Sequence, residues 1–291
     1  MAIQIQHFFH QPTFTLSYIV FDDVSGDAAI IDPALDFDPV ASAVDVSFSQ
    51  TLIHFIESRQ LTLRYILETH AHADHISSAF YIKQHLGGKI AIGRHITDIQ
   101  KTFKTVFNLI KDFNTDGVQF DLLLDEGDCL PLGQHTVKVL ETPGHTPDSL
   151  TYVINDNAFV GDTLFMPDSG SARCDFPGGD ARLLYQSIHK IYALGDETKL
   201  YMCHDYQPGG RELRFVTTVA EQKADNIQIN DGVSEAQYVQ VREARDATLA
   251  NPKLIYPSLQ CNIQAGNLPA PEEDNQRYFK TPIQGVEKLA P

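Results

Sequence analysis

Short apolar runs and longer segments with apolar residues at helical spacing alternate along the first part of the chain. The runs at 14–22 (FTLSYIVFD) and 27–33 (DAAIIDP) predict two strands around a Ser-Gly turn. The segment FSQTLIHFIESRQ (48–60) has apolar residues three and four positions apart, which predicts a helix. The run LRYILETH (63–70) predicts a strand that leads directly into a cluster of histidines.

The pattern continues to residue 206 with more strands than helices. Further helices are predicted at ISSAFYIKQHLGG (76–88), at residues 95–112, and at DARLLYQSIHKIYAL (180–194) with Asp180 at its start. Further strands are predicted at KIAIG (89–93), FDLLLDEGD (120–128), HTVKVLETPGH (135–145), SLTYVIN (149–155), NAFVGDTLF (157–165) and KLYMCHDY (199–206). This order predicts a mixed α/β fold.

The motif-rich pattern stops near residue 215. We therefore predict a catalytic domain over 1–215 and a C-terminal extension over 216–291 that packs on it. Within the extension, residues 234–251 predict a surface-facing helix on which Arg242 and Arg245 are solvated charges. Residues 257–276 are rich in Pro, Asn and Gly and are predicted to be extended. We expect the extension either to cover a substrate site or to form the contact of a homodimer.

Composition narrows the classes of protein that fit this pattern. The chain has 291 residues, 43% of them hydrophobic, so it can bury a sizeable core. Its formal charge of −16 argues against broad binding to nucleic acid or anionic membrane. No apolar run approaches the ~20 residues that span a bilayer, and the first residues lack a secretory pattern, so we expect a cytoplasmic protein. The four cysteines form no CxxC pair and predict reduced thiols.

Potential metal ligands are concentrated where predicted strands end. The stretch HAHADH supplies four of them, and three others follow later strands; the full set is His70, His72, Asp74, His75, His145, Asp162 and His204. Imidazole and carboxylate together suit zinc, iron or manganese. Gly144 and Gly161 precede two of these residues and permit tight turns that aim them. The sequence therefore predicts a metal centre at one edge of a sheet.

Four motifs identify the chain, over residues 7–215, as similar to the metallo-β-lactamase superfamily: HAHADH, TPGHTPDSLTY, VGDTLF and CHDY, in that order. The resemblance implies an α/β (α+β) four-layer sandwich, αβ/βα, with metals at one edge. In the superfamily's two-metal pattern, one position is formed by His70, His72, His145 and Asp162. The second is formed by Asp74, His75 and His204, with Asp162 bridging.

The segment GDTLFMPDSGSARCDFPGGDA, with MCHDYQPGGRE and the C-terminal PSLQCNIQAGNLP, resembles persulfide dioxygenases. More narrowly, it resembles the bacterial β-lactamase-like hydrolase branch linked to hydrogen sulfide detoxification. The resemblance implies one Fe(II) per chain, held by His70, His145 and Asp162, and oxidation of glutathione persulfide by O2 and water to sulfite and glutathione. Iron can pass electrons between substrate and O2, whereas zinc has no redox chemistry. On this reading four residues orient ligands, bind water or guide protons: His72, Asp74, His75 and His204.

A glutathione carrier needs cations and hydrogen-bond donors beside the metal. Arg173 and Tyr206 stand where the related glyoxalase II group places glutathione-binding residues, and Arg211 and Arg214 are close in sequence. These four are the predicted substrate contacts. The resemblance also implies a rhodanese-type sulfurtransferase as a source of the persulfide.

Three alternatives remain open at the sequence level. A glyoxalase II-type hydrolase of glutathione thioesters would use a dinuclear centre and all seven ligands. A nuclease or a lactonase of the same fold is a second alternative. The negative net charge disfavours the nuclease. A non-catalytic iron or sulfane-sulfur sensor would bind without turnover. Cys174 is read as a bystander thiol rather than a persulfide-handling one.

Overall fold

Three hydrophobic layers hold together four layers of secondary structure in the computed structural model, which describes residues 3–109 and 113–289. The described strands, in chain order, are β1 Gln4–His10, β2 Thr15–Phe21, β3 Asp27–Ile31, β4 Ala34–Asp38, β5 Ala43–Asp45, β6 Thr62–Leu67, β7 Ile76–Ser77, β8 Lys89–Gly93, β9 Leu122–Leu124, β10 Cys129–Leu132, β11 His135–Glu141, β12 Leu150–Ile154, β13 Asn157–Phe159, β14 Lys199–Tyr201 and β15 Val216–Thr218. The described α-helices are α1 Ser47–Ser58, α2 Ala79–Leu86, α3 Ile96–Val106, α4 Ala181–Tyr192, α5 Val219–Asp225, α6 Glu235–Asp246 and α7 Ile255–Asn262.

The strands form two six-stranded sheets and a small three-stranded one. The first sheet has the order β1-β2-β3-β6-β8-β9, the second β10-β11-β12-β13-β14-β15, and the small sheet β5-β4-β7. In the first sheet β3, β6, β8 and β9 run parallel, with helices as crossovers. Every residue of β2 is buried, as expected for a strand covered on both faces.

Alternate residues of each central strand face different hydrophobic layers. In β2, Ile19 faces the helices α1–α3 and α7, while Tyr18 and Val20 face the second sheet. The second sheet repeats the arrangement, since Tyr152 packs between the sheets and Val153 packs against α4. The four-layer αβ/βα sandwich implied by the motifs is therefore confirmed.

Most predicted elements are present, with shorter bounds. The helix predicted to begin at Asp180 does so, because the Asp180 carboxylate accepts hydrogen bonds from the backbone nitrogens of Arg182 and Leu183. The helix predicted over 95–112 is observed at Ile96–Val106, and residues 110–112 of that prediction lie outside the described residues. Strand β1 and helix α5 were not predicted.

Two predictions for the C-terminal extension are wrong in part. Residues 257–276 are not wholly extended, because helix α7 occupies Ile255–Asn262. Its Pro257 lies in the first turn, where a missing backbone N–H has no intrahelical partner to lose. Helix α6 is not simply surface-facing, since Tyr238 and Arg242 are buried, 1% and 4% exposed.

The extension is continuous with the second sheet. Strand β15 pairs antiparallel with β14, so that Tyr201 lies opposite Val216. The division between 215 and 216 stays a prediction, and the observed sheet crosses it. Within the described ranges, no helix is long and apolar enough to cross a lipid bilayer.

Candidate metal centre

Four chain segments that leave the ends of β6, β11, β13 and β14 meet at one edge of the sandwich. They carry His70, His145, Asp162 and His204, each within a few residues of its strand. Parallel and neighbouring strands place their ends together, which is why residues up to 134 positions apart in number, from His70 to His204, can meet there. All seven predicted ligands lie in this cluster, and their role as metal ligands stays a prediction.

Two glycines aim these segments. Gly144 has φ 140° and Gly161 has φ 53°, values that favour glycine. A Cβ at Gly161 would lie 2.6 Å from Thr69 Oγ1, and one at Gly144 would overlap the backbone of Leu184. Both positions therefore require glycine for conformation and for space.

The potential ligand atoms fall into two principal groups. His70, His145 and Asp162 form one group, whose ligand atoms all lie within 4.8 Å of one another. The second group, with the same spacing, is His72, Asp74, His75 and His204. Asp162 lies between them: its Oδ2 is 3.9 Å from His70 Nε2 and its Oδ1 is 3.4 Å from His204 Nε2. His72 thus lies with the second group rather than with the first, where the superfamily pattern places it.

The cluster fits a metal because its buried polar atoms lack other partners. Among the described residues, five atoms of the cluster are buried without a hydrogen bond: His70 Nε2, His72 Nδ1, His75 Nε2, His204 Nε2 and Asp162 Oδ1. Such atoms are costly unless something else satisfies them. All five belong to residue types that bind divalent metals, so a cation at this position removes the cost.

The protonation of two histidines favours a cation, whereas carboxylates raise the pKa of two others against the effect of burial: Asp32 acts on His72 and Asp74 on His204. Burial, with the neighbouring imidazoles, lowers the pKa of His70 well below its usual value and lowers the pKa of His75 to about 4. Both rings are therefore neutral at pH 7, which is the form that binds metal. Burial raises the pKa of Asp162, so its carboxylate gains most from a positive charge beside it.

Asp32 orients His72 directly and His70 through Thr69, on the side of each ring that faces away from the centre. It accepts hydrogen bonds from the backbone nitrogen of Thr69 at 2.7 Å, from Thr69 Oγ1 at 2.9 Å and from His72 Nε2 at 3.0 Å. Thr69 Oγ1 in turn lies 3.0 Å from His70 Nδ1. Glu68 Oε2 is a second carboxylate oxygen beside His72 Nε2, at 3.4 Å. These contacts fix the outward nitrogens, so that His70 Nε2 and His72 Nδ1 face the centre.

The remaining histidines are oriented in a comparable way. His145 Nδ1 is 2.7 Å from the carbonyl of Arg173, and His204 Nδ1 is 3.2 Å from that of Phe14. His75 Nδ1 contacts Asp74 Oδ1 at 3.1 Å and Thr15 Oγ1 at 3.3 Å. In each ring the Nε2 atom is left for the centre.

A cavity of about 330 Å³ opens over the centre. Its floor includes Asp74, His145 and Asp162. Its apolar walls include Phe165, and from the extension Leu249 and Pro252. Arg242 and Arg245 of α6 also line it. The extension therefore covers the centre, one of the two roles expected from the sequence.

The predicted substrate contacts differ in their availability. Tyr206 lines the cavity with its ring stacked on His204, 5.6 Å between centroids and 8° between planes. Arg173 lines it too, but its guanidinium already donates to both Asp175 oxygens and, at 2.7 Å, to the carbonyl of Ala250. The substrate contact predicted for both residues stays a prediction.

Arg211 and Arg214 lie outside the cavity lining. The guanidinium of Arg211 is held by the carboxylates of Asp168 and Asp205. Arg214 is exposed, and its backbone nitrogen donates to Asp205 at 2.7 Å. The geometry therefore does not favour the substrate contact predicted for these two residues.

Neither Cys174 nor Cys203, the two cysteines next to the motifs, has the lowered pKa of a reactive thiolate. Cys174 is buried, and burial followed by the charge of Asp246 raises the pKa of its thiol. Burial likewise raises the pKa of Cys203, whose sulfur lies within 4.8 Å of ligand atoms of Asp162 and His204. All four cysteines are free, in agreement with the prediction of reduced thiols.

Sequence reasoning missed several residues of the site. Asp32 directly follows the apolar residues of the run DAAIIDP. A polar residue directly after an apolar strand is the same signal that identified Asp162. Arg245 was read as solvated, although it lines the cavity. Asn262 had no local signal, because its partners lie about 190 residues earlier in the chain.

Comparison with known proteins agrees with this geometry. Residues 10–204 match the family model described as the metallo-beta-lactamase superfamily. The chain is 48% identical to a probable metallo-hydrolase of Burkholderia pseudomallei (strain 1710b), over 97% of this chain and 99% of that protein. It is 45% identical to Glyoxylase B2 of Dictyostelium discoideum, over 91% of each chain.

More distant relatives carry a different name. The chain is 28% identical to the mitochondrial persulfide dioxygenase ETHE1 of Homo sapiens, over 91% of this chain and 89% of that protein. The crystal structure of ETHE1 from Myxococcus xanthus superposes with a TM-score of 0.73 and 27% identity, covering 92% of this chain and 100% of that one.

Proposed function

The chain belongs to the metallo-β-lactamase superfamily, and from that premise we propose that it is an Fe(II)-dependent persulfide dioxygenase. The proposal is that glutathione persulfide, O2 and water give glutathione, sulfite and two protons. The observation that carries it is the compact group of His70, His145 and Asp162, of which the last two form part of the cavity floor. These imidazoles and this carboxylate are the ligand types that would hold Fe(II). The 28% identity to a persulfide dioxygenase supports it.

Each part of the cavity has a task in this reaction. Bound Fe(II) supplies the electron transfer between persulfide and O2 that zinc cannot provide. The walls formed by Phe165, Leu249 and Pro252 exclude bulk water from the reacting sulfur. Tyr206 offers a hydroxyl and a ring face to the peptide part of the substrate. Asp74 Oδ2 lies 3.1 Å from His204 Nε2 and orients that ring. Although burial opposes it, the neighbouring His204 holds the pKa of Asp74 well below its usual range, so this carboxylate stays ionised as a hydrogen-bond acceptor.

Arg245 is the cation best placed to bind a substrate carboxylate. Within the described ranges its guanidinium has no ion-pair or hydrogen-bond partner, although it lines the cavity. Arg242 beside it is already committed to Asp246. Glutathione carries two carboxylates, and an arginine with free donors can bind one in a bidentate manner.

We expect Arg245→Ala to raise KM for glutathione persulfide about tenfold or more, since a charge-assisted hydrogen bond contributes about 1.5–3 kcal/mol. Arg173→Ala is expected to act in the same direction. Steady-state kinetics of O2 consumption would measure both. Arg64→Ala is the matched control, because it removes an exposed arginine that neither lines the cavity nor is a predicted substrate contact. Equal KM values for Arg245→Ala and the control would remove Arg245 from the substrate site.

A glyoxalase II-type hydrolase of glutathione thioesters is the second candidate. The second group of four ligands, with its unpaired His75 and His204 nitrogens, favours it, because such a centre can hold two metals. Two metals held by these residues would supply the activation of water that thioester hydrolysis needs at neutral pH. The 45% identity to Glyoxylase B2 also supports this candidate.

One experiment separates the candidates. Purified protein loaded with Fe(II) is given glutathione persulfide, and O2 uptake and sulfite are followed together. Matched loss of O2 and gain of sulfite is the expected result. No O2 uptake, with hydrolysis of S-lactoylglutathione by the same preparation, would replace the proposal with the hydrolase. Binding without either turnover would indicate a sensor. The cytoplasmic location, the sulfurtransferase partner and the homodimer stay predictions.

A further inference from the structure

Helix α7 of the extension lies directly behind the loop that carries the first four metal-ligand candidates. The side-chain nitrogen of Asn262 donates hydrogen bonds of 2.8 Å to the carbonyls of both His72 and His75. Its side-chain oxygen accepts a 2.8 Å bond from the backbone nitrogen of Ser77. One amide, only 4% exposed, therefore joins three backbone groups of the loop.

These hydrogen bonds leave little freedom to the loop. The loop runs from the end of β6 to β7 without helix or ladder bonds of its own between His72 and His75. Its inward carbonyls need donors once they are buried. Asn262 is the residue that supplies them, and it does so at the two residues whose Nδ1 and Nε2 atoms face the centre.

Other contacts hold α7 in the position that this requires. Gln100 of α3 donates to the carbonyl of Ile263 at 2.9 Å, and Cys261 packs against Leu35 and Ile76. Gly266, with φ 77°, passes so close to the loop that a Cβ there would lie 2.6 Å from the carbonyl oxygen of Ser77. The helix and the turn that follows it are thus held in place by three separate contacts.

We infer that Asn262 is a positioning residue for the metal centre, and that helix α7 holds the His72–His75 loop in its metal-binding conformation. The inference rests on a metal centre at this site, and not on the identity of the reaction. Without Asn262 the loop gains conformations that displace His70, a ligand in both the one-iron and the two-metal arrangement, together with His72 and His75, whose nitrogens face the centre. A centre whose ligands must first be ordered binds metal less tightly and releases it faster.

Asn262→Asp is the most specific test, because it keeps the size of the side chain and replaces its two N–H donors with an acceptor. The measurement is the rate at which protein loaded with Fe(II) under anaerobic conditions loses iron to an excess of a ferrous chelator. Supporting groups around metal ligands typically contribute 10–100-fold in affinity, so we expect iron loss at least about tenfold faster. Asn262→Ala is expected to act in the same direction.

Gln260→Ala is the matched control on the same helix. Gln260 is 1% exposed, and its side chain bonds to Tyr256 and Lys280 rather than to the loop. We expect this variant to lower the thermal midpoint of the metal-free protein, as the Asn262 variants do, but to release iron within about twofold of the parent rate. Parent-like iron release by Asn262→Asp, or equally fast release by Gln260→Ala, would overturn the inference. Neither outcome depends on turnover, so the result is separate from the test of the dioxygenase.

Discussion

Asp162→Ala is expected to leave the protein without stoichiometric iron. Asp162 is the one carboxylate in the group with His70 and His145, and its two oxygens face both groups of ligands. Removing it deletes a metal bond and the negative charge that most favours a cation in this buried site. The loss in affinity should exceed the roughly 100-fold that an outer supporting group can cost. His70→Ala is expected to do the same, because it removes another of only three ligands.

The amount of iron bound per chain, measured after anaerobic loading and desalting, would test the predicted loss of iron in these two variants. The informative comparison is His204→Ala, which on the one-iron assignment should keep most of its iron. His189→Ala serves as a control for loss of a partly buried histidine remote from the centre. If His204→Ala loses iron as completely as Asp162→Ala, the one-iron assignment is wrong and a two-metal centre takes its place. Full iron in Asp162→Ala would contradict both.

Asp32→Asn is expected to weaken iron binding about 10–100-fold without removing any ligand. The substitution keeps the shape of the side chain but replaces one carboxylate oxygen, an acceptor, with an amide nitrogen, a donor. That nitrogen would face one of the groups that now donate to Asp32, on Thr69 or His72. It also removes the charge that favours the outward N–H of His72. Asp32 has φ 49°, a conformation that asparagine tolerates, so the backbone is not expected to be strained.

Titration with Fe(II) against a competing chelator would measure the change. Asp22→Asn is the matched control: Asp22 is 1% exposed, against 2% for Asp32, and it also accepts backbone hydrogen bonds, from Val24 and Gln134, away from the centre. Parent-like affinity in Asp32→Asn would mean that Thr69 and His72 hold their orientation without it. Equal weakening by both variants would attribute the effect to general loss of stability.

The cluster of ligands could be predicted from the sequence because each one follows its own strand closely. His70, His145, Asp162 and His204 all lie within a few residues of an apolar run, and the ends of such runs converge in a layered sheet. The order of strands and helices likewise follows from hydrophobic periodicity, which is local. These features need only short segments of chain to be recognised.

Tertiary structure decided which residues hold the metal ligands in place and which residues line the cavity above them. Arg211 pairs with Asp168, 43 residues away, which does not favour its predicted substrate contact, and nothing near Arg211 in the sequence indicates that pairing. The sequence pattern did not indicate helix α7, because Pro257 and the Asn- and Gly-rich stretch after it are typical of loops. A proline in the first turn of a helix nevertheless costs no intrahelical hydrogen bond.

The sequence by itself determined which side chains can bind a metal and at which edge of the fold they meet, because strand ends carry that information locally. Only the tertiary structure decided which arginine stays free for a substrate, and which distant residue, Asn262, satisfies the carbonyls of the metal-binding loop. Those outcomes depend on hydrogen bonds and ion pairs between segments that are far apart in the chain. No local pattern of polar and apolar residues specifies such pairings.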